Sequence, residues 1–293
     1  MYQQLFDIIA PVLIIAGLGY GWARLGKPFD LATISGVVIN IAVPALVISS
    51  LTKLTIDLDA FGIMAGAAAA SMALFLAVGF VVLRALRLSI HAFLPAVALG
   101  NSGNLGLPLC LFAFGEPGLA FGIAIFAVSS VVNMTVGQMI SAGRFSPWVL
   151  FKTPVIYALI IAFVSMGTGV PPPKFLASAL ETLSGIAVPA MLLALGVSLQ
   201  RLQLGKMKVS LVVALLRLGV GFAGGLLVAT LFGLEGAARG TLIIQSAMPA
   251  AVFNYLWAQV HGRDPAAVAG VVVLSTFIGF LLLPLVLIVA LGR

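Results

Sequence analysis

The sequence predicts an all-α integral membrane protein of ten transmembrane helices arranged as an inverted 5+5 repeat, with helices 4 and 9 discontinuous. Three observations predict it. Of 293 residues, 62% are apolar and 8% charged, and the mean hydropathy is +1.24. The apolar residues gather into runs of about 20, the length that crosses a bilayer. The two halves of the chain repeat each other in order. A soluble domain carries about 25% charged residues, so the composition speaks against a water-soluble enzyme, a disordered tail and a nucleic-acid-binding module. The 15 basic residues behind the formal charge of +7 form no patch or stripe. The single cysteine, Cys110, leaves no intramolecular disulfide and no Cys-rich metal site. Two histidines, His91 and His261, with few carboxylates, give no conventional zinc set, and no metal or cofactor is expected.

The runs cover roughly 5–22, 31–51, 60–83, 92–114, 118–141, 149–168, 175–199, 209–232, 237–260 and 267–291. The first has Asp7 at its start and no basic residue before it, unlike a signal peptide, so it is a mature helix. The second and seventh hold Pro44 and Pro189, which are expected to interrupt them. The fourth carries Gly100-Asn101-Ser102-Gly103-Asn104-Leu105-Gly106-Leu107-Pro108, and the ninth Gln245-Ser246-Ala247-Met248-Pro249, both poor material for a continuous helix. The eighth contains Arg217. With short connections, Lys and Arg set the orientation. Arg24, Lys27, Arg84, Arg87, Arg144, Lys152, Arg201, Lys206, Lys208 and Arg263 fall on one side, against Lys53, Lys174, Arg239 and Arg293. That places the odd loops in the cytoplasm, both termini outside and the chain in the cytoplasmic (inner) membrane.

The repeat is read from four collinear matches. Ile41-Ala42-Val43-Pro44-Ala45 recurs as Ile186-Ala187-Val188-Pro189-Ala190, Pro11 matches Pro154, Glu116-Pro117 matches Asp264-Pro265, and Pro108 matches Pro249. Residues 1–145 and 146–293 then form two five-helix units. An odd number of spans forces the second copy to enter from the opposite face, a symmetry suited to alternating access.

Two interrupted spans at equivalent positions point to a binding site. Half-helix N-termini offer unpaired N–H groups and partial positive charge, which favour a carboxylate. With the prolines superposed, Asn104 aligns with Gln245; the amides of Asn101, Asn104 and Gln245 would orient a ligand as donors, or hold a cation through their carbonyls. The same small and polar residues also serve close helix packing.

The stretches at 100–108 and 245–250 and the Val-Pro-Ala of spans 2 and 7 resemble the auxin efflux carrier family, whose bacterial members include malonate and malate permeases. The resemblance covers essentially the whole chain, without the long cytoplasmic loop of plant members. It implies a scaffold of spans 1, 2, 6 and 7, a mobile core of spans 3–5 and 8–10, a crossover of spans 4 and 9, and a homodimer. It also implies kinship with bile acid/sodium symporters. Plant carriers have an Asn-Pro-type break; here each proline follows its amide by four residues.

The expected substrate is a small organic anion at that crossover, touched by Asn101, Ser102, Gly103, Asn104, Gly106, Pro108, Gln245, Ser246, Met248 and Pro249, with Asn133 and Asn254 as polar neighbours. Asn40 and Gln138 are further polar neighbours. Arg217 would attract anions or pair with an acid, or snorkel to the headgroups. Glu181 and Asp7 are the acids nearest hydrocarbon, as coupling groups or interfacial charges. No acid lies within the breaks, so a sodium site would rely on neutral oxygens; proton or sodium coupling both remain open. Other readings are a sodium-coupled symporter of bile acid-like anions, a passive channel, and an intramembrane serine protease. The last, a remote alternative, rests on Gly100-Asn101-Ser102-Gly103 and is weakened because both histidines fall at the cytoplasmic surface, half a bilayer from Ser102.

Overall fold

The structure, a computed structural model, describes residues 2–53, 58–143, 154–201 and 207–292. The boundary at 145/146, the start of the sixth run, and Arg144, Lys152, Lys206 and Arg293 lie outside the described residues. Among the described residues, seven helical stretches are long and apolar enough to cross a membrane: Leu5–Arg24, Leu31–Thr52, Asp59–Ala85, Ser102–Ala142, Lys174–Arg201, Met207–Leu231 and Pro265–Ala290. Among the described residues there is no strand, only one isolated bridge between Gly100 and Ala250.

In chain order, helix α1 is Tyr2–Arg24. α2 (Leu31–Val37) runs through a π-helical turn, Val38–Ala42, into α3 (Val43–Lys53). α4 is Leu58–Ala85 and α5 is the short Ile90–Ala98. A second π turn, Ser102–Gly106, opens α6 (Leu107–Val132), and a third, Asn133–Gly137, leads into α7 (Gln138–Ala142). α8 is Pro154–Thr168, α9 Lys174–Arg201 and α10 Met207–Leu231. The short α11 (Gly236–Ser246) and α12 (Val252–Val260) precede α13 (Pro265–Ala290).

Of the two expectations about prolines, one holds and one changes. Pro44 does interrupt its helix, in the mildest way. A proline lacks the N–H for the preceding turn and crowds the carbonyl four residues back; here the turn just before it widens to Val38–Ala42. Pro189 interrupts nothing, because α9 runs unbroken from Lys174 to Arg201. The repeated pentapeptide therefore sits in two different backbones.

The stretch from Ser102 to Ala142 is too long for one crossing, and it folds back on itself. A Cβ built on Gly122 would lie 3.2 Å from Leu107 Cδ2, and one on Gly103 2.9 Å from Phe126. In a straight helix Leu107 and Gly122 would be about 22 Å apart. The bend is Gly115, at φ 66°, ψ −153°, a conformation that only glycine adopts at low cost. The bend falls in the short connection expected between the fourth and fifth runs, and one glycine provides it.

Two large cores and a small third one around Phe75, Ala98 and Leu99 hold the described helices together. One gathers Leu51, Leu107, Ile123, Met191, Leu195 and Leu242 from α3, α6, α9 and α11. The other joins Leu83, Phe93, Val97, Val213, Val271 and Val272 from α4, α5, α10 and α13. The outward faces of α1, α8 and α9 carry exposed Phe6, Leu18, Ile160, Val164 and Phe175, as a lipid-facing surface requires.

Candidate functional site

The site begins where two helices stop. α5 ends at Leu99 in extended conformation (φ −108°, ψ 104°), and α11 gives way to a non-helical stretch from Ala247 to Ala251. In hydrocarbon the freed backbone groups need partners, and the two stretches supply them to each other. The Asn101 N–H donates to Pro249 O at 2.7 Å, and the Ala251 N–H to Leu99 O at 3.2 Å. Asn254 Nδ2 also donates to Leu99 O at 3.0 Å, and the Ala250 N–H to Ser275 Oγ at 3.1 Å.

The C-terminal ends of α5 and α11 meet Arg217. Its Nε donates to Met248 O at 2.9 Å, Nη1 to Val97 O at 2.9 Å and Ala98 O at 3.1 Å, and Nη2 to Ser246 O at 2.8 Å. The residue is 1% exposed, and its guanidinium lies 5.4 Å from the centre of the Phe75 ring. Arg217 therefore does not snorkel to the headgroups. Its stem points inward, and its donors go to carbonyls that a helix end leaves unpaired. Room for it is made by Gly100, where a Cβ would collide with the guanidinium. Gly221 adds to it, being bare enough to let α10 press against Ser246 O.

The N-terminal ends lie on the other side. Asn101 caps the Ser102–Gly106 turn and Ala251 caps α12, neither with a side-chain hydrogen bond. Both first turns line a cavity of about 700 Å³, through Asn101, Ser102, Gly103 and Asn104 from one and Val252 and Phe253 from the other. Phe126, Ser129, Ser130, Asn133 and Met134 form a second wall. Ser35, Val38, Ile39, Met191, Ala194 and Ser198 form the facing wall, and Asp30 and Arg201 stand at the rim. Asn133 is held by Trp257, whose Nε1 donates to Asn133 Oδ1 at 3.0 Å.

Of the side chains singled out in the sequence, Asn101, Ser102, Gly103, Asn104 and Asn133 line this cavity. Gln245 does not. It is 3% exposed and lies behind the break, close against Gly106, with neither amide atom hydrogen-bonded to nitrogen or oxygen. It lines a separate void of about 20 Å³ together with Ser71, Ser102, Ser129, Ser246 and Arg217. Superposing the prolines misaligns the two breaks, because Pro108 is already helical at the start of α6 while Pro249 lies within the extended stretch. The bridge pairs Gly100 with Ala250 instead.

Ser246 and Met248 give their carbonyls to Arg217, Pro249 gives its carbonyl to Asn101, and Asn254 is spent on Leu99. Asn40 is exposed and donates back to Gly36 O at 2.8 Å. Glu181 and Asp7 are exposed on α9 and α1, away from the cavity. His91 Nδ1 meets Ile140 O at 2.7 Å, and His261 stacks on Trp257 at 6.4 Å.

Sequence reasoning missed the first turn of α12, the rim pair and the facing wall. Ala251, Val252 and Phe253 are apolar, and nothing in their residue type marks a place on a cavity wall. In the sequence Arg201 reads only as an orientation charge.

A multi-pass helical membrane protein with a cavity built on two interrupted helices has the construction of a membrane transport protein. The chain belongs to the membrane transport protein family, whose model matches residues 5–146 and 138–287. It is similar to an uncharacterized transporter of Methanocaldococcus jannaschii, 25% identical over 302 residues covering 95% of this chain and 96% of that one. An uncharacterized transporter of Methanothermobacter thermautotrophicus is 25% identical over 307 residues, with 95% and 96% covered.

Proposed function

We propose that the protein is a secondary transporter of small organic anions, carboxylates foremost, which carries them across the cytoplasmic membrane by alternating access. One observation carries the reading: two half-helix N-termini, neither capped by a side chain, lie side by side on the wall of one cavity. Each such terminus contributes roughly half a positive charge and up to four unpaired N–H groups. Asn101, Ser102, Asn104 and Asn133 add neutral groups that fix orientation.

Ten crossings arise if the Ser102–Ala142 stretch counts as two arms and α8 and the α11–α12 pair as one each. An inverted five-helix repeat accounts for their number and for the collinear matches in sequence. The rim with Asp30 and Arg201 is the cytoplasmic end by the distribution of basic residues, so the cavity opens inward. Resemblance to auxin efflux carriers supports carboxylates as substrates, motion of a core against a scaffold, and a homodimer.

The test is counterflow in proteoliposomes loaded with unlabelled mono- and dicarboxylates, following labelled malonate with Asn104→Ala beside the native protein. Transient accumulation that falls at least tenfold in Asn104→Ala is expected. Uptake without counterflow would make the protein a channel, and no response to any loaded acid would overturn the small-carboxylate reading.

A further inference from the structure

Behind the cavity, the carbonyl oxygens of Val97, Ala98, Ser246 and Met248 converge from the ends of two helices. Each helix C-terminus carries roughly half a negative charge. In transporters with discontinuous helices, such carbonyls hold the coupling cation. Here the group among them is the guanidinium of Arg217, donating to all four at 2.8–3.1 Å.

We propose that Arg217 is a tethered cation, filling from within the chain a carbonyl site that would otherwise take a free metal ion, so that the paired break holds together without one. The charge balance fits, since two half-charges of one sign face one full charge of the other. The chemistry fits as well. A buried guanidinium needs compensation, and it takes it from carbonyls; none of its hydrogen bonds goes to a carboxylate. The local sequence makes space for it, because Gly100 is the residue a Cβ would drive into the guanidinium. The flat, five-donor fork of arginine serves oxygens from two different helices at once, so Arg217 is a positioning residue for both half-helix pairs. This inference stands on the break alone and does not depend on the substrate.

The experiment is thermal unfolding of the purified protein in choline, sodium, potassium or guanidinium chloride, the last at tens of millimolar, far below denaturing concentration. The native Tm is expected to be the same in all four. Arg217→Ala should lose about 5 °C or more and regain most of it in guanidinium or sodium and not in choline, because a ligand of the folded state stabilises by mass action. Arg217→Lys, which keeps a cation, should stay near the native value with no ion requirement. An Arg217→Ala protein as stable as native would overturn the proposal, as would one that no cation restores while Arg217→Lys is equally damaged. If Arg217→Ala does not accumulate folded, Arg217→Gln beside Arg217→Lys decides. Equal Tm values contradict a tethered cation, and a low value for the glutamine variant alone supports it.

Discussion

Two charged side chains reach the rim of the cavity, and they differ in what they have left to offer a ligand. Asp30 caps α2, accepting from the N–H groups of Ala32 at 3.0 Å and Thr33 at 3.2 Å. The Thr33 hydroxyl, and then its N–H, hold that carboxyl below its usual range. Arg201 donates from Nη2 to Phe29 O at 2.7 Å and keeps further donors in its fork. Arg201→Gln should therefore raise the KM for a carboxylate about threefold to tenfold and weaken the salt dependence of uptake, measured at two ionic strengths. Gly100→Ala drives a methyl into the Arg217 guanidinium. A Tm lowered by about 4 °C or more is expected for it in thermal unfolding. Four polar residues of the cavity are legible in the sequence: Asn101, Ser102, Asn104 and Asn133 stand out as polar groups in apolar runs, whereas Ser35, Ser129, Ser130 and Ser198 do not. Gln245 stands out equally and lies elsewhere, because composition marks a polar residue without telling on which side of a break it falls.

The elements around the cavity share a feature that no residue pattern announces. Each of the three π turns among the described residues places side chains on it: Val38 and Ile39, Ser102 to Asn104, and Asn133 with Met134. Wide turns of this kind recur at functional sites because they re-aim side chains within an otherwise regular helix. The long crossings were readable from apolar length alone, and the two breaks from Gly, Asn and Pro. The bend is legible as the gap between the runs 92–114 and 118–141; that Gly115 alone makes it, at positive φ, is not, since one glycine among many in apolar sequence looks like packing material. A better signal existed for α10. Arg217, Gly221 and Gly225 recur at four-residue spacing, which puts a cation and two bare patches on one face. Gly221→Leu would push α10 off Ser246 O. It should lower the Tm and speed hydrogen exchange at the Asn101 and Ala251 amides, whose bonds join the breaks.

Across the whole molecule, the two interruptions sort charge by side. Both negative helix ends are drawn to Arg217, and both positive ends are left to the cavity. On the proposed reading this makes an anion-favouring surface in the membrane interior, with Arg201 only at the rim and backbone N–H groups carrying the binding. That claim has a direct test in Val252→Pro. Proline is well tolerated at the first position of a helix, where the N–H has no intrahelical partner. Ala251 before it already has the extended backbone that a proline requires, at φ −68°, ψ 144°. The substitution removes one donor from the cavity wall and leaves the helix in place. Equilibrium binding of labelled malonate to the purified variant, beside the native protein, is the measurement. The account predicts an unchanged Tm with affinity weakened about tenfold, the worth of one charge-assisted hydrogen bond. Native affinity in the proline variant would contradict it.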